Sequence, residues 1–195
     1  MGAETVALDV EKLKRGLEDL PEPVANPVLI IISGLPGTGK SYLSRGLAQQ
    51  LASVILESDA LRKRLCHTVT YSARESHRLF NTCHSLIEEL LRKGISVIFD
   101  ATNLVEQHRE RLYRISQRLN VKLIIVSVEA PRDVTLQRLK SRSQGIDTED
   151  NSDADSRVYY GMRAKAERIR RNHFVVDTSR DIAPAIDKIV RAARR

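Results

Sequence analysis

Apolar positions along the chain keep two rhythms, and they alternate. Residues 28–33 form a near-continuous apolar run, as a strand covered on both faces requires. Residues 40–51 repeat at helical spacing through Leu43, Leu47 and Leu51. A short run at 53–56 ends in Glu57-Ser58-Asp59, and residues 76–92 are helical through Leu79, Cys83, Leu86 and Leu90. Gly94 stops that helix, as glycine does just past a helix end. Residues 95–100 then read as a third strand, 106–119 as a helix and 121–128 as a fourth strand. Helical patterns at 133–142 and 157–171 flank a polar, acidic stretch at 143–156. A fifth strand at 174–177 and a closing helix at 182–193 complete the series. Short apolar strands separated by helices predict an α/β fold, a parallel sheet with helices on both faces.

Ahead of this series, residues 8–19 predict an amphipathic helix with Val10, Leu13 and Leu17 on one side. Pro21, Pro23 and Pro27 make the following residues an extended linker. Residues 1–27 are therefore expected to be an appendage to a domain spanning 28–195.

Composition narrows the class. The chain has 195 residues, 42% hydrophobic and 29% charged, which suits one packed domain and excludes wholesale disorder. Its longest apolar run, Val28 to Ile32, is far short of the ~20 residues of a membrane-spanning helix. The first twenty residues carry five acids and lack the apolar core of a secretory signal. Cys66 and Cys83 show no metal or redox spacing, so a reducing cytoplasm is the expected compartment. The net charge of +7 is uneven: residues 1–97 hold 12 Lys and Arg against 11 Asp and Glu, and residues 98–195 hold 20 against 14. Arginine's fork favours phosphate, so the second half suggests either a polyanionic partner or a solvated basic face. Aromatic residues are only 4% and tryptophan is absent, which leaves few platforms for stacking bases.

The strongest chemical signal is Gly34-Leu35-Pro36-Gly37-Thr38-Gly39-Lys40-Ser41, which fits G-x-x-x-x-G-K-[ST] between a predicted strand and a predicted helix. The glycines let backbone N–H groups converge, and the helix start adds the positive end of its dipole. Lys40 supplies a charge for the β and γ phosphates, and the Ser41 hydroxyl is a Mg²⁺ ligand. The nucleotide contacts are assigned to Gly34 through Tyr42.

Polar groups at the carboxyl ends of the other strands decide what happens to a bound nucleotide. Asp59 is placed to take a proton from an attacking hydroxyl, or to cap the helix that follows, and the two roles are compatible. Arg62, three residues on, is placed to hold an acceptor. Asp100 ends the third strand as a candidate for Mg²⁺ or the acceptor, with Thr102 and Asn103 on the same rim. Arg138 and Arg142 lie four apart on one helix face, where an arginine can neutralise a transferring phosphoryl group. The acids at 147–155 lack the central glycine and distal glutamate of a calcium loop. His67, His77, His84, His108 and His173 show no metal spacing, and His77 and His84 share a helix near the acceptor side.

Taken together, GLPGTGKS, SDALR, VIFDATNL and the arginine-rich helix after strand four resemble the small P-loop kinases related to polynucleotide kinase and zeta toxin, a group labelled AAA-family ATPase or predicted kinase. The resemblance spans most of residues 28–190. It implies a P-loop NTPase three-layer α/β/α sandwich with strand order 2-3-1-4-5 and a helical, arginine-bearing lid at about 133–160. It further implies ATP and Mg²⁺, Asp59 as general base, Arg62 as acceptor-binding residue, Asp100 near metal and acceptor, and Arg138 as the lid arginine, with Arg142 one turn later. It sets the loop after strand five, with Thr178, beside the adenine. An acceptor hydroxyl follows, on a nucleic-acid 5′ end or on a nucleoside, sugar or antibiotic. A non-catalytic ATP-binding switch is the alternative, and the absence of an N-K-x-D motif leaves the base open between ATP and GTP.

Overall fold

The computed structural model describes residues 3–17, 20–143 and 156–195. Five strands are all parallel: β1 (Val28–Ser33), β2 (Ser53–Glu57), β3 (Ser96–Asp100), β4 (Lys122–Glu129) and β5 (Phe174–Asp177). Their order is β2-β3-β1-β4-β5, the one the resemblance implied. Side chains alternate across the pleat and so feed two cores. Leu29, Ile31, Val97 and Phe99 face one side; Val28, Ile30, Ile32 and Ile98 face the other. The first face is covered by α3 (Ser58–Leu65), α4 (Ala73–Arg92) and α5 (Glu106–Leu119), the second by α2 (Lys40–Ala48) and α8 (Ala183–Arg194). The remaining helices are α1 (Ala3–Lys14), α6 (Arg132–Ser143) and α7 (Ser156–Ala164). None of the helices among the described residues is long and apolar enough to cross a membrane.

The expectation of an N-terminal appendage fails. The α1 helix lies on α3 and α4, with Val10 and Leu13 inside the first core and Val6 and Leu17 packed against it. Buried Asp9 accepts hydrogen bonds from Nε and Nη2 of Arg78 at 2.7 and 2.5 Å, and Lys12 Nζ donates to the Leu65 carbonyl. The proline stretch is tied down too, because the Val24 N–H donates to the Gly94 carbonyl. An amphipathic stripe has nothing to gain from solvent when a matching groove between α3 and α4 is uncovered.

Register fixes what lies at the carboxyl edge. Ile32 pairs with Asp100, and Glu57 pairs with Asp100 from the other side, so β1, β2 and β3 end together. Beyond them Asn103 turns through a left-handed conformation (φ 44), and its amide donates to the Ile32 carbonyl at 2.8 Å. Fully buried Arg109 on α5 donates to the carbonyls of Asn103, Glu167 and Arg168, and pairs with Glu106. These bonds also explain why the helix predicted to reach residue 171 ends at Ala164. The carbonyls of 167 and 168 belong to Arg109, and the Glu167 N–H donates to Leu104.

Truncation of Leu13 to alanine is expected to cost about 2–5 kcal/mol in urea unfolding, as for a core leucine. A loss under about 0.5 kcal/mol, the range of an exposed site, would return α1 to the status of an appendage.

Candidate active site

The phosphate loop leaves β1 and enters α2 through two glycines in the left-handed region, Gly37 (φ 81) and Gly39 (φ 83). A Cβ on Gly39 would sit 2.8 Å from the Thr178 hydroxyl, and one on Gly34 would sit 2.5 Å from the Val128 carbonyl. The motif's glycines are thus demanded by close approach as well as by the turn. Gly34 N–H and the Ser33 hydroxyl both donate to the Thr102 carbonyl, stitching the loop to the end of β3. Lys40 Nζ donates to the Leu35 carbonyl at 3.2 Å, and the Thr38 hydroxyl donates to the same oxygen.

Beside this loop opens a cleft of about 510 Å³, within the range of small-molecule sites. It brings together Pro36, Gly37, Gly39, Lys40 and Ser41 with Asp59, Arg62, Asp100 and Thr102. Asp59 stands in the first turn of α3. The cap position is taken by Glu57, so Asp59 meets the helix dipole from inside the helix instead of capping it. Asp100 is 2% exposed and accepts a hydrogen bond from Ser44.

Other expected residues stand elsewhere. Asn103 is buried inward, where it shapes the loop and contributes no wall to the cleft. Tyr42 is exposed on α2. Arg138 lies at the opposite flank of the phosphate loop. Its Nη1 donates to the Thr178 hydroxyl and to the Gly37 carbonyl, and its Nη2 to the Thr178 carbonyl. The Thr178 hydroxyl in turn donates to the Thr38 carbonyl at 2.7 Å. The backbone of Arg142 continues α6, and the acidic stretch expected at 143–156 falls almost wholly outside the described residues.

Several residues that line or brace the cleft carried no sequence signal. Glu57 sits level with Asp100 at the cleft. Glu75 is the hidden anchor: Arg62 Nη1 donates to it at 2.6 Å, and Thr70 donates through both its N–H and its hydroxyl. The Thr70 hydroxyl first, then Arg62, hold this carboxyl down at about 2 against the opposing effect of burial. Ser72 caps α4 by accepting from the Glu75 N–H, in the S-x-x-E pattern of a helix start. That pattern gave no hint that the carboxylate reaches Arg62. Phe80 and His108 line the cleft as well, their rings 5.0 Å apart. His84 does not: it is buried beside Phe80 and Phe99.

A strand-loop-helix phosphate cradle at the carboxyl edge of a 2-3-1-4-5 sheet is the arrangement of a P-loop nucleotide-binding fold. The AAA_33 family, described as an AAA domain, matches residues 29–169, and the chain belongs to it. An L-seryl-tRNA(Sec) kinase of Methanococcus maripaludis is 30% identical over 124 residues, which cover 63% of this chain and 49% of that one. An adenylyl-sulfate kinase of Myxococcus xanthus is 26% identical over 56% of this chain and 62% of its own. The chain thus spans about half to two thirds of these relatives' length. The Mycobacterium tuberculosis APS kinase CysC, in complex with AMPPNP and APS, shares the fold with a TM-score of 0.64 at 18% identity, covering 87% of this chain and 99% of that one. Chaetomium thermophilum Kti12 in complex with ADP-AlF3 does so at 0.65 and 18%, over 85% and 98%.

Burial pushes the His84 imidazole down to about 4, from 6.5. Both ring nitrogens lack partners among the described residues. The unfolded chain therefore binds the extra proton first. Stability is intact above about pH 6.5 and falls as pH drops toward 4, by at most about 3 kcal/mol. The Glu75 contribution is lost in a separate window, from 4.5 down toward 2. Denaturant midpoints for His84→Leu are expected to fall less steeply between pH 6.5 and 4.5 than those of the unsubstituted protein, the remaining slope belonging to groups such as His108; curves parallel to the unsubstituted protein would refute the assignment.

Proposed function

We propose that the protein transfers the γ-phosphoryl group of ATP to an acceptor hydroxyl, with Asp59 as general base. The observation that carries this reading is one cleft shared by Asp59 and the Lys40–Ser41 end of the phosphate loop. Amides at Gly37 and Gly39 and the Lys40 ammonium hold the β and γ phosphates. Asp59 accepts the proton of the acceptor hydroxyl as its oxygen bonds to the γ phosphorus. The bond from that phosphorus to the β–γ bridging oxygen breaks, and ADP carries the electron pair away. The donor set suits Mg²⁺: the Ser41 hydroxyl and the Asp100 carboxylate are hard oxygens at the loop. An ion held by two protein oxygens would be completed by phosphates and water. When bound, Mg²⁺ neutralises phosphate charge. Arg138 stabilises the transferring group after leaving Thr178 and the Gly37 carbonyl, so lid movement accompanies turnover.

ATP as donor agrees with the kinase relatives, and a cytoplasmic setting suits ATP use and the free thiols of Cys66 and Cys83. For the acceptor, a nucleic-acid 5′-hydroxyl has support in the basic second half and the family resemblance, and a small alcohol has support in the enclosed cleft. A steep salt dependence of affinity separates the polymer from the small molecule.

With radiolabelled ATP and a panel of oligonucleotides, nucleosides and small alcohols, Asp59→Asn is expected to lower transfer by about 10²–10⁴-fold. ATP affinity should change less than threefold. Undiminished transfer by that variant would remove Asp59 as base, and a nucleotide switch without catalysis would show no transfer in either form.

A further inference from the structure

We propose that the acceptor is a small, uncharged alcohol built on a planar ring, of the nucleoside type, whose ring lies against Phe80 and His108. The proposal takes its phosphorylated hydroxyl from the phosphotransfer reading above, but the ring subsite stands on residues of its own.

Charge is the first argument. Two cations besides Lys40 line the cleft, Lys165 just past the end of α7 and Arg62 on α3, and Arg62 is already committed. Its Nη1 lies 2.6 Å from Glu75, both side chains are more than nine-tenths buried, and the Tyr71 ring covers its guanidinium at 4.8 Å. Arg62 Nε is itself buried, without a hydrogen-bond partner among the described residues, so the guanidinium does not present an open two-pronged edge to the cleft. A phosphate asks for the two-pronged fork and for net positive charge, and the Arg62–Glu75 pair supplies neither.

The walls are the second argument. Phe80 is half-buried and lies 5.0 Å from His108, their rings tilted by 35°. Burial, helped by the Arg111 and Arg109 charges, lowers the His108 pKa, so its ring meets the cleft neutral. Across from α4 and α5, Val158 and Met162 stand one turn apart on α7 and complete an apolar lining with Leu104 and Val105. A planar ring gains from such walls by stacking and burial, a phosphate loses its hydration there, and a ring-free polyol uses little of them. The exposed arginines 163 and 168 line a neighbouring groove on the other flank of the phosphate loop, and Lys165 between them reaches this cleft as a single-stem ammonium without the fork that a phosphate prefers.

The test uses the full chain with AMPPNP for calorimetric binding and with ATP for transfer. The probes are adenosine, guanosine, cytidine, uridine, adenosine 3′-monophosphate, a 5′-hydroxyl oligoadenylate and D-ribose. At least one nucleoside is expected to bind ten times more tightly than ribose, and no less tightly than the 3′-monophosphate or the oligomer. Phe80→Leu should weaken that nucleoside at least tenfold with ATP affinity unchanged, and Phe80→Tyr, which keeps a ring, should retain it. Tenfold preference for the 3′-monophosphate or the oligomer, equal binding of ribose, no binding of any nucleoside, or indifference to Phe80→Leu with Phe80→Tyr folded would each overturn the proposal. Phe80-dependent nucleoside binding without transfer to any acceptor would uphold the subsite and overturn only the phosphotransfer reading.

Discussion

The carbonyl of Thr102 is the point on which the site hangs. It accepts from the Gly34 N–H and the Ser33 hydroxyl, and so pins the first residue of the phosphate loop to the segment that follows β3. Without that clamp the loop's amides would be held against Asp100, the last residue of β3, by the strand register alone. With it, the strand register that aligns Ile32, Asp100 and Glu57 is carried beyond the sheet. Parallel sheets favour this arrangement, because every strand delivers its end to the same edge.

Much of the architecture was legible because it follows from periodicity. Five apolar runs alternating with helical stripes admit few topologies, and a glycine loop between the first run and the first stripe names its own ligand class. The boundaries slipped where a tertiary contact outvoted local pattern. The first helix runs from Ala3 to Lys14 instead of 8–19, placing Val10 and Leu13 in the groove of α3 and α4. The helix after the acidic stretch stops early because Arg109 takes carbonyls that helix hydrogen bonds would need.

The site was half legible for a similar reason. Lys40, Ser41, Asp59 and Asp100 follow strand ends directly, so sequence order alone puts them at one edge. Phe80 and His108 reach the same cleft from helix interiors, and Glu75 acts on it through Arg62; their facing depends on how α4 and α5 lie on the sheet. Asn103 misleads in the opposite sense: it stands beside chemistry-bearing residues in the chain, yet its amide is spent on the backbone of β1. Composition was equally blind to clustering. Few aromatic residues over the whole chain is compatible with two rings gathered at one wall.

Arg109 carries one more lesson. It is a cation sealed from water whose single carboxylate partner, Glu106, is supplemented by main-chain oxygens from both sides of the α5 start. Only a planar head with several diverging donors spans that distance; an ammonium on a single stem would satisfy one side and abandon the other. The chain's choice of arginine there is therefore dictated by shape, and a charge-preserving swap would uncouple the turn after the third strand from the segment that follows α7.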